Sequence, residues 1–370
     1  MAATDDVRMD VQMMEEALAL AGRAAGRTSP NPLVGAVVVA DGQVVGRGLH
    51  ARAGEAHAEV VALREAGDLA RGGTLYVTLE PCDHVGRTGP CTEAVLAAGI
   101  QRVVVAMLDP DPCVNGRGIA RLRQAGIRAE VGLLEARARK VNEFYVKHRR
   151  TGLPFVTLKW AMSLDGKIAA RRGSAMAITE GEARRYAHEL RNVYDAVLVG
   201  VGTVLADDPR LTCRLPGGRS PTRIIVDSTL RTPPGARVVT GVAEAPTVIV
   251  TTAAAPRERV EAMRQAGVQV LVQDRRDGPV DLPALMQDLG RRGMLSVLIE
   301  GGGTVNASAL AAGIVDKVIA LVAPRLIGGA AAPTPVDGPG LGEGADAVRL
   351  RDVQVQPLGQ ELVIEGYLEA

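Results

Sequence analysis

Three positions carry side chains that bind borderline-soft divalent metals, and a carboxylate stands beside one of them. His57-Ala58-Glu59 lies where a loop enters a helical segment. Pro81-Cys82 follows a strand-like run, and Pro90-Cys91 opens the next helical segment. One imidazole and two thiolates give zinc three protein ligands and leave a fourth position open, as catalytic rather than structural sites require. Two thiolates balance the charge of the ion, and zinc lowers the pKa of a water to about 7. Residues two apart do not share a helix face. His57 therefore belongs in the first turn, with the metal off the helix end and Glu59 reaching in from the side to carry protons.

Zinc deaminases of nucleobases show H-x-E followed by P-C-x-x-C. Here the ligand order is kept, but the second part is stretched to Cys82-x8-Cys91. H-x-E alone is weak evidence, and burial is the ordinary fate of a cysteine, which is the reading taken for Cys113 and Cys213. In combination, and in this order, the fragments point to hydrolytic deamination of an amino-substituted pyrimidine. The competing reading is a structural zinc site, closed by His84 as fourth ligand, in a zinc-stabilised binding protein.

The elements that position these groups follow from hydrophobic periodicity. A helix is expected near 9–22, then strands over 35–40 and 43–50 joined by an Asp41-Gly42 hairpin turn. Helix 57–66, strand 74–80, helix 91–98, strand 102–108, helix 116–125 and strand 128–134 then alternate. A polar helix, ARARKVNEFYVKHRR, and Gly152 with Pro154 mark a boundary near 146–153. A second α/β series follows, with strands at 155–164, 195–200, 222–227, 246–252, 268–274 and 296–302, a late strand KVIALVAPRL and a pair near 348–369. Thr179 with Glu182 fits a capping box opening the next helix. The Ala/Gly/Pro-rich tract 328–345 reads as a long, mobile loop. His148 and His188 fall on polar helices and are expected at the surface. Alternation of this kind implies mixed sheets covered by helices, with sites at strand ends.

Bulk properties narrow the class. A chain of 370 residues exceeds one average domain, and 47% hydrophobic with only 2% aromatic content implies aliphatic α/β cores. A net charge of +1 disfavours nucleic acid as the main partner. The acidic start lacks the pattern of a signal peptide, and no apolar run is long enough to span a bilayer. A cytoplasmic protein with no membrane partner and reduced cysteines is expected.

Segments through nearly the whole chain resemble the bifunctional deaminase–reductases of bacterial riboflavin biosynthesis. They include SPNPLVGAVVV (29–39), GEAHAEVVAL (54–63), YVTLEPCDHVGRTGPC (76–91), LKWAMSLDGKIA (158–169), VGVGTVLADDPRLT (199–212) and LIEGGGTVNASAL (298–310). The stretched cysteine loop is itself similar to that family. The resemblance implies an α/β chain of two domains. The first, over 1–148, would be a cytidine-deaminase-like three-layer sandwich; the second, over 153–370, would be dihydrofolate-reductase-like. It implies one Zn²⁺ per chain, NADPH, a phosphorylated pyrimidine substrate, and a homodimer or homotetramer. The first domain would remove the 2-amino group of 2,5-diamino-6-ribosylamino-4(3H)-pyrimidinone 5′-phosphate. The second would reduce the ribosyl side chain to ribityl. The alternative is a rear domain that binds cofactor or oligomerises without reducing.

The resemblance also implies site residues. Asn31, His50, Arg87 and Asp109 would surround the deaminase substrate, with the peptide groups of 31–36 lining its pocket and Arg87 reaching the 5′-phosphate. Lys159, Ala161, Thr203, Asp207, Ser228, Gly301 and Gly302 would lie around NADPH. Arg191, Leu211, Arg214 and Glu300 would hold the second substrate. Glycines 301–303 lead from a strand into a helix, a place for a cofactor phosphate, although no G-x-G-x-x-G is completed. Lys159 and Asp207 are both candidates for the proton source. Relatives often carry G-x-S-x-W-I-T where this chain has Gly173-Ser174-Ala175-Met176-Ala177-Ile178-Thr179, so two contacts are missing. Asp111 stands where many relatives have Asn.

Overall fold

Glycine spacing in the second strand decides how the front of the chain packs. Strands β1 (Gly35–Ala40) and β2 (Gln43–Leu49) pair antiparallel around Asp41 and Gly42, both at positive φ, the geometry that suits a tight hairpin. Gly46 and Gly48 point to one face, where a β-carbon would stand 2.2 and 2.0 Å from the carbonyl oxygens of Ala62 and Ala58. Helix α2 (Ala58–Ala66) is thereby seated directly on the strand backbone. Gly35 does the same on the opposite face, where a β-carbon would meet the Ala17 carbonyl at 2.0 Å. There helix α1 (Ala2–Gly22) buries Met13, Met14, Ala17, Leu18 and Ala21, an apolar stripe of helical period.

The computed structural model describes residues 2–84, 89–112, 114–174, 176–340 and 347–369. Arg87, Cys113 and Ala175, singled out above, lie outside them. The chain divides into two units, Met1–Gly152 and Leu153–Ala370. In the first, β3 (Thr74–Val77), α3 (Cys91–Ala97), β4 (Arg102–Val105), α4 (Arg117–Gln124) and β5 (Arg128–Val131) follow the hairpin, with α5 (Glu135–Val141) and α6 (Glu143–Thr151) after them. Sheet order is β2-β1-β3-β4-β5, antiparallel through β3 and parallel beyond. Helices α1 and α5 pack on one side and α2, α3 and α4 on the other, which makes three layers. Strand β3 stops at Val77, short of the expected 80, because Thr78 turns its hydroxyl to the Gly35 amide at 3.1 Å.

The second unit contains β6 (Phe155–Ser163), α7 (Gly181–Val193), β7 (Ala196–Gly200), α8 (Val201–Asp207), β8 (Thr222–Val226), α9 (Arg237–Thr240), β9 (Thr247–Thr252), α10 (Arg257–Gln265) and β10 (Gln269–Gln273). Then come α11 (Leu282–Arg291), β11 (Ser296–Ile299), α12 (Gly303–Ala311), β12 (Lys317–Ala323), β13 (Leu350–Leu358) and β14 (Glu361–Leu368). The sheet runs β10-β9-β8-β7-β11-β6-β12-β14-β13, parallel from β10 to β12, with an antiparallel hairpin at the end. Alternate residues of β7 serve the two faces. Ala196 and Leu198 join Leu285, Met286 and Leu289 of α11, while Val197 and Val199 join Val238, Val260 and Met263. No helix among the described residues is long and apolar enough to cross a membrane.

One expectation fails here. The capping box does not form: α7 begins at Gly181 with Glu180 as an extended N-cap, and no side chain caps it. Glu180 instead donates its amide to Glu361 and pairs its carboxylate with Arg325 at 2.7 Å. The tract from 328 is irregular over its described part, as expected of a long loop, and it makes specific contacts. Asn306 donates to the Pro335 carbonyl, Asp337 donates its amide to Gly303 O, and Arg172 pairs with Asp337 at 3.0 Å. Residues 341–346 of that tract lie outside the described ones.

Candidate functional site

In the first unit, α2 enters with His57 as its extended N-cap, so the imidazole hangs off the helix end while Glu59 occupies the first turn. Pro90 is the N-cap of α3, and Cys91 begins that helix, buried. Cys82 reaches the same point from the end of the β3 segment. His57 Nδ1 lies 3.1 Å from Cys91 Sγ and 3.5 Å from Cys82 Sγ. All three ligand atoms fall within 4.8 Å of one another, and they form the one such metal-ligand group among the described residues. His84 is exposed and outside this group, so among the described residues no fourth protein ligand closes it.

The donor set fits zinc. Tetrahedral ligands at ordinary Zn–N and Zn–S lengths lie about 3.6 Å apart, close to the spacings found. The charges fit as well. Packed together without a cation, the two sulfurs divide one proton unequally: the hydrogen bond from Cys91 pushes Cys82 down to about 4, and Cys91 is pushed up. A divalent ion removes that conflict by stabilising both thiolates.

Glu59 is buried, and burial pushes its carboxyl up to about 7, a suitable value for taking and returning a proton near neutrality. His50, its ring centroid 5.4 Å from that of His57, is held by two contacts, Nδ1 to the Ala56 carbonyl at 3.2 Å and Nε2 to Asn31 Nδ2 at 3.1 Å. With the proton on Nδ1, Nε2 accepts from the Asn31 amide. Burial lowers the His50 pKa and favours that neutral form. The peptides of 33–35 differ from expectation, because they are already engaged. Asn142 bonds both the amide and the carbonyl of Leu33, His50 donates its amide to Val34 O, and Gly35 donates to Thr78.

Asp109 is buried, which raises its pKa, and it accepts from Tyr145 Oη at 3.1 and 3.3 Å and from the Asp111 amide at 2.9 Å. Asp111, the departure from the family pattern, pairs with Arg149 at 3.6 Å. Tyr145, Asn142 and Glu80 escaped the sequence reading. The first two sit on a stretch read as a polar helix, and only a fold shows what they face.

In the second unit, the C-terminal ends of β6, β11, β7 and β8 surround one cavity of 1090 Å³. It brings together Lys159, Ala161, Thr203, Asp207, Ser228, Gly301, Gly302, Arg191, Arg214 and Glu300. A volume at the top of the range for one small-molecule site leaves room for two ligands. Leu211 lines a smaller cavity of 360 Å³, shared with Arg191, Asp207 and Arg214, and its φ of 54° places it in the left-handed region.

Charge in the larger cavity centres on Glu300. Arg191 grips it with two bonds, Nε to Oε1 at 2.7 Å and Nη2 to Oε2 at 2.9 Å, and Lys159 Nζ lies 3.6 Å from Oε2. Burial opposes the carboxylate, but Arg191 and Lys159 outweigh it and hold Glu300 at about 2. Burial pushes Lys159 downward, so its proton is loosened despite the Glu300 charge. Glycines 301 and 302 run into α12, with Gly302 as N-cap and amides directed off the helix start. His188 contradicts expectation: it is buried at 8% exposure and lines this cavity, because α7 turns its Arg191 face inward. Ala177 and Met176 border the cavity as exposed residues, Ala177 at the position where the family resemblance implies a tryptophan.

Comparison with known proteins covers both units. Residues 7–107 match the cytidine and deoxycytidylate deaminase zinc-binding region, and residues 154–364 match the RibD C-terminal domain. The chain is 43% identical over 357 residues to the riboflavin biosynthesis protein RibD of Aquifex aeolicus, covering 96% of this chain and 98% of that protein. It is 42% identical to RibD of Escherichia coli, with the same two coverages. Among solved structures, Acinetobacter baumannii RibD superposes with a TM-score of 0.89 at 36% identity, covering 98% of this chain and 100% of the other. A diaminohydroxyphosphoribosylaminopyrimidine deaminase/5-amino-6-(5-phosphoribosylamino)uracil reductase of Thermotoga maritima gives 0.85 at 35% identity, with the same coverages.

Proposed function

Since this chain belongs to the RibD family of bifunctional riboflavin biosynthesis deaminase–reductases, we propose how its residues divide the two reactions. The carrying observation is the open cluster of His57, Cys82 and Cys91 beside the buried Glu59. Deamination of 2,5-diamino-6-ribosylamino-4(3H)-pyrimidinone 5′-phosphate belongs to residues 1–148, and reduction to residues 153–370. His57, Cys82 and Cys91 hold zinc, which supplies Lewis acidity that makes water nucleophilic near neutral pH. Glu59 takes the proton from that water and delivers it to the departing 2-amino nitrogen, which leaves as ammonia. Asn31 presents its amide to the pyrimidine edge, oriented by His50. Asp109 accepts from the ring substituents, oriented by Tyr145. Arg87 pairs with the 5′-phosphate.

In the second unit NADPH supplies a hydride to C1′ of the opened ribose. Ala161, Thr203, Asp207, Ser228, Gly301 and Gly302 position the cofactor. Arg191, Leu211, Arg214 and Glu300 hold the substrate. Of the two candidate proton sources, Lys159 is favoured over Asp207. It is buried beside Glu300 with its proton loosened. Asp207, although partial burial raises its carboxyl, is exposed where it lines both cavities and has no such charged partner among the described residues. A cytoplasmic homodimer or homotetramer is the assembly consistent with the family resemblance, and sedimentation of the pure protein measures it.

The test is an assay of both steps on one purified chain with zinc quantified. Ammonia should appear from the diamino substrate, followed by NADPH oxidation, with one zinc per chain. Ammonia release without NADPH oxidation would refute the reductase assignment for this sequence, in which Ala177 replaces the family tryptophan.

A further inference from the structure

Glu80 stands two residues before Cys82, and neither the zinc cluster nor the substrate reading uses it. Its carboxylate is buried at 3% exposure, and among the described residues it forms no ion pair. It gathers backbone amides instead. Oε2 accepts from Asp109 N at 3.2 Å and Gly116 N at 2.9 Å. Oε1 accepts from Gly118 N at 2.9 Å and Ile119 N at 3.3 Å. Burying a carboxylate without a cation is costly, and four donors are what make it tolerable.

Two of those amides, Gly118 and Ile119, belong to the first turn of α4, where a carboxylate is an ordinary cap supplied from elsewhere in the chain. The other two are not helical. Asp109 lies within the loop after β4, and Gly116 ends that loop at a φ of 82°. One carboxylate therefore holds Asp109 and the far end of the loop that carries Asp109 and Asp111. The first turn of α4, which follows that loop, also rests on the metal-ligand segment itself: a β-carbon on Gly118 would stand 2.0 Å from the Pro81 carbonyl oxygen.

We propose that Glu80 is a positioning residue of the deaminase, setting the Asp109 carboxylate at a fixed distance from the Pro81-Cys82 metal-ligand segment. The inference rests on the reading of Asp109 as a substrate contact. Asp109 is anchored at both ends of the residue, its amide by Glu80 and its carboxylate by Tyr145, so its side chain has little freedom to find the pyrimidine unaided.

Steady-state deamination by the full chain tests this, comparing Glu80→Gln and Asp109→Asn with the parent. A glutamine keeps one acceptor oxygen and turns an NH₂ group toward two of the four donors. KM for the diamino substrate should rise about 10- to 100-fold while kcat changes by less than about threefold. Zinc should stay at one per chain, and NADPH oxidation of the deaminated substrate should be unchanged. Amide exchange should accelerate at 109–119 and not in the central strands. A parent-like KM in Glu80→Gln, with KM raised in Asp109→Asn, overturns the role of Glu80 and leaves Asp109 in place. A parent-like KM in Asp109→Asn overturns the substrate contact, and with it this inference. Loss of zinc with kcat falling in parallel also overturns it, because Glu80 would then serve the metal ligands alone. If Glu80→Gln does not fold, Glu80→Asp keeps the charge with a shorter reach and should show a smaller rise in KM by the same criteria.

Discussion

Glu59 and Glu300 are both buried carboxylates, and their surroundings give them opposite tasks. Glu59 has burial acting on it with too little compensating positive charge, so its proton is retained to about 7 and can be exchanged during a reaction. Glutamine at this position should lower deamination by about 10²- to 10⁴-fold, with zinc content intact and NADPH oxidation of the deaminated substrate unaffected. Ammonia release and metal analysis check this. Glu300, gripped by Arg191 and Lys159, stays ionised down to about 2 against an ordinary 4.5. Its folded value is depressed, so its contribution to stability is complete above pH 4.5 and disappears as pH falls towards 2. Glu300→Gln should flatten acid unfolding of the second unit in that window. At neutral pH it should cost about 3–5 kcal/mol, because two buried cations lose their counter-charge. Denaturant titrations at a series of pH values measure both effects. His57, Glu59, Cys82 and Cys91 were legible because metal ligation demands rare residue types in a fixed order. Glu80 and Tyr145 were not, since their partners are backbone amides and a residue far along the chain, and no spacing rule encodes either.

Element by element, the strands and the helices of the first unit followed from alternation and turn residues, most ends falling within a residue. Strands β3, β4, β5 and β11 nonetheless stop three residues early and α1 begins seven residues early; helices α8 to α11 were not read. The misplaced capping box at Thr179 shows where that reasoning stops: the pattern was present, but Glu180 found better partners in Glu361 and Arg325. Gly46 and Gly48 were overlooked, although glycine at alternate positions within a strand signals close backbone approach. They form the floor of the helix that carries Glu59. Gly48→Ala forces a methyl group against Ala58 O, next to both His57 and Glu59. The variant should lower zinc affinity and deamination together and reduce thermal stability, by about 1–3 kcal/mol as other overpacked sites do. Alanine at Gly42, where nothing lies within 4 Å, would meet only the strain of its positive φ, 74°, and should leave zinc affinity unchanged. Competition with a chromogenic chelator and a melting curve on each variant would compare them.

At the scale of the whole molecule, each unit has its own sheet and its own set of packed helices. Zinc stabilises only the unit that binds it, through mass action on the folded state. Stripping the metal should therefore shift an early melting transition and leave a later or separate one in place, while NADPH oxidation of the deaminated substrate persists. Calorimetry with and without a chelator, beside the reductase assay, is the check. A single transition that moves as one would show the units to be thermodynamically fused.

The same separateness has a genetic consequence. A cell lacking this gene but carrying two defective alleles, Glu59→Gln in one and Glu300→Gln in the other, should grow without added riboflavin. Each product supplies the half-reaction that the other lacks, provided the deaminated intermediate is released. Failure of the pair to complement, with both proteins present and folded, would mean that the intermediate never leaves the chain that made it.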